Sequence, residues 1–324
     1  MIELFKRREM VLALVVLALA GLVTARAPVF LSSGNLLDLF TDASILSMMA
    51  LAQMLVILTR GIDLSVASIL AFSGMAAALL VRSFPDLPVG LIVLAAIFAG
   101  IAWGALNGFL IAVVNLPPIV VTLGAMTIVR GTVFLVAGGR WVNSHEMTQA
   151  FLGLPQQELI GLPLLIWAAL ILAVLFTLFL GQTRTGRALY ALGGNPAAAL
   201  TVGLSAVRLK MLVYAVSGAV AGLSGALWVA RFGIASSEIA VGFELQVIAA
   251  CVIGGVSISG GIGSTIGVLL GALFLSLVNN ALTIINVSPF WQMAIAGLAI
   301  LLAVIVNSKV QQPAGKLILR GSLK

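Results

Sequence analysis

The chain has 324 residues, of which 62% are hydrophobic and only 8% charged, against roughly half apolar and a quarter charged in soluble domains. This balance excludes an ordinary soluble enzyme and points to an all-α polytopic membrane protein filling a single transmembrane domain over 1–324. The net charge of +7 does not imply nucleic acid, because the basic residues are not gathered on a soluble face; they follow topology instead.

The sequence reads as ten spans. Lys6, Arg7 and Arg8 precede an apolar run and Ala25-Arg26-Ala27, the outline of a signal peptide. The run is read here as the first span, 10–31. A polar outer loop with Asp38 and Asp42 leads to a short second span, 43–59, broken at Arg60-Gly61-Ile62-Asp63. Spans three to six follow at 64–81, 89–114, 119–137 and 162–180, with a polar loop at 138–161.

The stretch 181–210 is different: it carries Arg184, Arg187, Arg208 and Lys210 and no acid. Within it Asn195 is a good N-cap, Pro196 suits the first helical position, Ala197, Ala198 and Ala199 propagate a helix, and Gly203 can end it. A short capped helix among basic residues would lie at the cytoplasmic surface, either as an ordered loop or as a docking element.

Spans seven to ten are placed at 211–230, 243–256, 265–285 and 290–306, ahead of a basic tail with Lys309, Lys316, Arg320 and Lys324. Span eight is short enough to be re-entrant. Ten crossings, however, put both termini on the side that gathers Arg60, the 181–210 bases and the tail, as the positive-inside rule requires. The opposite face takes Asp38, Asp42, Asp86, Glu146, Glu158, Glu238 and Glu244. Gly100, Gly104 and Gly108 in span four, and Gly263, Gly267 and Gly271 leading into span nine, recur every four residues, a spacing that lets helix backbones approach closely in lipid. The sequences around 104–117 and 271–289 are weakly alike in spans of opposite direction, a hint of an inverted repeat.

Polar chemistry within the spans is sparse. Asp63 either lines a gate or caps span three. Arg130 lies within span five and should face the protein interior or snorkel outward. Gln53, Asn107 and Asn279 would either bond a polar solute in a central path or tie neighbouring helices. One cysteine, Cys251, and one histidine, His145, leave no basis for a metal site or a Cys–His nucleophile pair. The glycine-rich segment 253–261 lacks the Gly-Lys-Ser/Thr ending of a phosphate loop, so no nucleotide cofactor is expected on this chain, and nucleotide energy, if used, comes from another.

Three segments then carry a resemblance. TRGIDLSV at 59–66, ALGGNPAAALTVGLSAVRLKMLVYAVSGAVAGLSG at 191–225, and IAACVIGG, SGGIGS and IGVLLGA between 248 and 272 resemble, in order, the ribose-type (monosaccharide) ABC transporter permease family. The resemblance implies the permease subunit of an importer in the bacterial inner membrane. It implies a cytoplasmic ATPase subunit holding ATP and magnesium, a periplasmic solute-binding protein, a second permease subunit, and a coupling helix at 195–203. Arg60-Gly61 and Ala67 stand where the family more often has glycines, a variant that looks closer to the rhamnose and autoinducer-2 branches. The competing expectation is an ion-coupled secondary transporter. It would want a titratable carboxylate at the membrane midplane, whereas all ten acids fall at span ends or in loops.

Overall fold

A computed structural model describes residues 2–285 and isolated residues between 287 and 301. Most of the tenth expected span, Asn286 and Pro289 of the suggested repeat, and the basic tail lie outside the described residues. The helices are α1 (Ile2–Arg26), α2 (Ser33–Leu58), α3 (Val66–Ser83), α4 (Val89–Ala112), α5 (Pro118–Ala137), α6 (Gln149–Gly153), α7 (Leu164–Gln182), α8 (Arg184–Gly194), α9 (Pro196–Thr201), α10 (Ala206–Phe232), α11 (Phe243–Ile253) and α12 (Thr265–Ile284). Eight of them (α1 to α5, α7, α10 and α12) are long and apolar enough to cross a membrane.

The bundle is built around α2. Ser32 starts this helix by accepting from the Asn35 nitrogen, and the residues from Ala43 to Leu58 are buried without interruption. Asp38 and Asp42, expected in a loop, lie within the N-terminal half of this helix, where both face Arg231 of α10. Span two is therefore a full-length helix, not a short one. Pro28 ends the first helix early: α1 stops at Arg26 and a 3₁₀ turn, Pro28–Leu31, replaces the expected last turn of span one.

Lipid gives apolar side chains little reason to leave it, so close backbone packing must hold such a bundle together. The sequence supplies it with glycine. On α4, a Cβ on Gly100 or Gly104 would collide with α10 backbone at Gly218, Gly222 and Tyr214, and one on Gly108 would come 3.1 Å from the Met211 Cα. On α3, a Cβ on Gly74 would come 2.7 Å from the Gly225 carbonyl of α10. Gly267 and Gly271 of α12 meet Gly254 and Ala250 at the end of α11 in the same way. Gly263, by contrast, precedes the helix and packs against the Leu58 and Val256 side chains. Large apolar residues such as Leu94, Phe98, Ile128, Val174 and Leu175 face outward.

The helix α11 has 11 residues, about 16 Å at the α-helical rise, too short to cross alone. Yet the segment 243–261, of which it is the first part, runs from one end of the bundle to the other. Phe243 stacks on Trp228 near the end of α10, while Gly261, farther along the same strand of chain, donates to the Leu58 carbonyl at the end of α2. The traverse is completed by the non-helical segment 254–264, a backbone irregularity tolerated at such depth when it is packed against protein.

Short pairings close the loops at the Phe243 end: β1 (Val142–Asn143) runs antiparallel to β4 (Ile234–Ala235), and β2 (Glu158–Leu159) to β3 (Leu162–Pro163) through a two-residue turn with positive φ at Ile160 and Gly161.

Candidate functional site

At the other end of the bundle, three sequence segments far apart in the chain meet on backbone. Leu58 closes α2, Gly193 and Gly194 close α8, and Gly260 and Gly261 lie in the segment before α12. The Gly261 nitrogen donates to the Leu58 carbonyl at 3.0 Å. A Cβ on Gly193 would run into that same carbonyl and the Gly261 nitrogen, and one on Gly261 would stand 2.5 Å from the Gly194 nitrogen. Gly260 and Gly261 also have φ of +83° and +72°, a region that costs other residues strain. Arg60 spans the junction: its Nε donates to the Gly193 carbonyl at 2.6 Å and its Nη2 to the Gly194 carbonyl at 3.0 Å. It does so from a left-handed φ of 65°, sparsely populated for a residue with a long side chain. The Tyr190 hydroxyl donates to the Gly263 carbonyl at 2.9 Å, and Ser264 donates to Glu9 of α1.

The short helix α9 projects from this junction. Asn195 accepts from the Ala198 nitrogen at 3.1 Å and Pro196 occupies the first turn. Gly203, at φ +81°, lets its own nitrogen bond the Leu200 carbonyl and the Leu204 nitrogen bond the Ala199 carbonyl, which caps the C-terminus. Ala199 is buried against the protein, while Leu200 and Val202 stand 58% and 75% exposed. Ala197 and Ala198 complete its outward turn. The element is fastened on one side and apolar on the other. Its support, α8, was not apparent in the sequence as a helix. Thr183 starts α8 by accepting from the Gly186 nitrogen at 2.9 Å, and Ala188, Leu189 and Leu192 form its buried face.

Behind the junction, between α2 and α3, lies a buried polar cluster. Asp63 Oδ1 accepts from the Ser65 nitrogen at 2.9 Å and from its hydroxyl at 2.6 Å, and Asn107 of α4 donates to that hydroxyl at 2.8 Å. Asp63 thus organises the turn entering α3 through Ser65. Its burial pushes the carboxyl up to about 6, against the two Ser65 hydrogen bonds. Among the described residues Asp63 Oδ2, Asn107 Oδ1 and the Tyr214 hydroxyl are buried without a partner, and a Cβ on Gly61 would stand 2.6 Å from that hydroxyl.

The remaining polar candidates fall elsewhere. Gln53 is buried in the C-terminal part of α2, with neither amide atom bonded among the described residues. Arg130 reaches from α5 to the Ser237 and Ile239 carbonyls at 2.8 and 2.7 Å, which pins the loop before α11. Asn279 lines a cavity at the Phe243 end. Asp63 and Asn107 are brought together; Gln53, Arg130 and Asn279 do not join them. Ser65, Tyr190, Gly193 and Gly194 are residues of the junction and cluster that sequence reasoning did not single out. The run ALGGNP contained the signal, since a glycine pair just ahead of an N-cap has no local use. Among the described residues no group of His, Cys, Asp and Glu could hold a metal ion.

The family described as "Branched-chain amino acid transport system / permease component" matches residues 35–304. Among curated proteins, the ribose import permease protein RbsC of Escherichia coli (strain K12) is 38% identical, covering 91% of this chain and 92% of its own length. The autoinducer 2 import system permease protein LsrC of Enterobacter sp. (strain 638) is 34% identical over 95% of this chain and 89% of that protein. The L-arabinose ABC transporter permease protein AraH of Azospirillum brasilense is 35% identical over 91% and 86%. No solved structure matches. With the family matched over most of its length, and with relatives of this identity aligned almost end to end, the chain belongs to the permease-component family of ABC import systems.

Proposed function

We propose that this permease component admits a neutral, monosaccharide-like solute by alternating access, driven by a separate ATPase subunit that docks on α9. The observation that carries the reading is the construction of α9: a capped helix, seated on a backbone-to-backbone junction, with Leu200 and Val202 turned outward. A push on such an element passes into α2, α8 and the segment before α12 with little slack, because carbonyls and amides rather than flexible side chains are in contact. The named relatives import ribose, autoinducer 2 and L-arabinose, which favours a small polyol as solute over the ion-coupled alternative.

In this reading the junction end faces the cytoplasm, in keeping with Arg60, Arg184, Arg187, Arg208 and Lys210 gathered there. Both termini are then cytoplasmic, in the bacterial inner membrane. A solute-binding protein delivers solute to the acidic outer face, and a second permease subunit completes the pathway. ATP and magnesium belong to the ATPase.

The test is Ala198→Glu. A charge on the outward turn of α9 should abolish co-purification of an ATPase subunit and cut ATP-dependent uptake in proteoliposomes by more than tenfold, while the permease still inserts and stays monodisperse. Uptake driven by an ion gradient in vesicles that hold this chain alone would overturn the reading.

A further inference from the structure

The end of the bundle remote from α9 holds a cavity of about 260 Å³ between α2, α10, α11 and α12. Its lining divides into two kinds of surface. One wall is aromatic. Trp228 stands 5.1 Å from Phe232 and 5.2 Å from Phe243, centroid to centroid, and all three border the space. The other wall is polar: Gln246 of α11 and Ser276, Asn279 and Asn280 of α12.

The two asparagines have different duties. Asn280 and Asn35 exchange hydrogen bonds, at 3.0 and 3.2 Å, so the Asn280 amide is committed to holding α12 against α2. Among the described residues neither the Asn279 nor the Gln246 side chain makes a hydrogen bond. Both are amides, each offering a donor and an acceptor. A hydroxyl group needs both from its surroundings.

The charge at the rim is largely paired. Asp42 Oδ1 accepts from Arg231 Nε at 3.0 Å and Nη2 at 2.7 Å, and Asp38 stands 3.7 Å from the same guanidinium. No uncommitted cation is left among these lining and rim residues to hold an anionic solute. The volume falls under the roughly 300–1,000 Å³ typical of drug-sized ligands, which suits a monosaccharide.

We propose that this cavity is a receiving site for a neutral polyol, with Trp228 and Phe243 against its C–H face and Gln246 and Asn279 on its hydroxyls. The site deepens the importer reading by giving the solute a place within this chain, and it is tested by binding rather than transport. Purified permease in detergent is probed by saturation-transfer NMR with D-ribose, L-arabinose, L-rhamnose and ribitol as neutral probes, and with ribose 5-phosphate and choline as charged ones. At least one neutral probe should show transfer, and the charged ones none. For that probe Asn279→Leu should weaken binding by about tenfold, the scale of one lost hydrogen bond in a desolvated site, and Asn279→Gln should recover part of it.

A second measurement leaves the aromatic wall and the Gln246 and Asn279 amides intact. Thr283→Cys places a thiol at the exposed rim, where the buried Cys251 does not compete for reagent. The bound polyol should slow its reaction with a water-soluble maleimide. The proposal is overturned if no neutral probe binds, if charged probes bind as well, or if Asn279→Leu binds like the parent and the rim thiol is not protected. Should that happen while ATP-driven uptake of a sugar persists, the importer reading stands and only the site is wrong; if no polyol is taken up at all, the importer reading falls too.

Discussion

The two ends of this bundle are made of different materials. At the α9 end the contacts are carbonyl to amide: Leu58, Gly193, Gly194 and Gly261 meet with no side chain between them, and Arg60 locks the joint from above. At the Trp228 end the contacts are side chain to side chain, and they leave a cavity with two amides that are uncommitted among the described residues. Glycine removes volume and slack together, which fits a region that must pass on a displacement. Asparagine, glutamine and tryptophan create shape and hydrogen-bonding variety, which fits a region that must hold a molecule. The same helices, α2 and α12, run from one kind of region to the other, so a movement imposed at one end has a continuous path to the other.

The contrast breaks most visibly at Gly193. A valine there would drive its side chain into the Leu58 carbonyl and the Gly261 nitrogen, neither of which can rotate away. The expected loss is about 3 kcal/mol or more, read as a lower melting temperature in detergent and a several-fold poorer monodisperse yield. Asn279→Leu at the opposite end should melt within about 1 kcal/mol of the parent. If Gly193→Val melts like the parent, the junction is not the tightly packed joint described here.

A smaller effect is expected from Asp63, which sits just behind the junction and outside the spans. Its folded value of about 6 lies above the ordinary 3.8. The folded protein therefore holds that proton more tightly than the unfolded chain does. Stability from this group is complete below about pH 4 and is lost as pH rises towards 6, by at most about 3 kcal/mol at roughly 1.4 kcal/mol per unit. Asp63→Asn keeps an acceptor for Ser65 and removes the ionisation. Melts of parent and variant between pH 4 and 7.5 should converge at the acid end, separate as pH rises towards 6 and stay apart by a constant amount above it, with the variant the more stable. Parallel curves would show that the buried carboxyl does not ionise in this window.

How much of this was legible beforehand follows from the chemistry of each element. The α9 helix was readable because Asn195, Pro196 and Gly203 are local signals: each acts on backbone within four residues of itself. The glycines of α4 and α12 were readable as a four-residue period, though not their partners on α10 and α11, since a period names a face and not what covers it. Asp38 and Asp42 were misplaced into a loop because carboxylates read as solvent, whereas within α2 they face the Arg231 guanidinium of α10. The helix α8 was hidden by its basic, glycine-containing sequence, and only the buried face of Ala188, Leu189 and Leu192 reveals it. The junction itself could not be read at all, because it joins positions near 58, 193 and 261, and no local rule links segments so far apart.

The mildest change separates the two ends by charge instead of packing. Asp42 is about half exposed, although its partner Arg231 is largely covered. Asp42→Asn keeps an oxygen for the guanidinium to bond and removes only the charge, so the cost should stay under about 1 kcal/mol and shrink further in high salt. Its effect on recognition should exceed its effect on stability. With Asp42 neutral, Arg231 keeps only the exposed Asp38, 3.7 Å away, as a counter-charge, and the rim of the cavity gains a partly free cation. Ribose 5-phosphate, which the parent is expected to reject, should then compete measurably with the neutral probe in the same NMR titration, while α9 and its junction, at the far end, remain unaffected in ATPase co-purification. A variant that still rejects the phosphate would mean that Asp38 alone suffices to neutralise Arg231 and that the Asp42 pairing serves to hold α2 against α10.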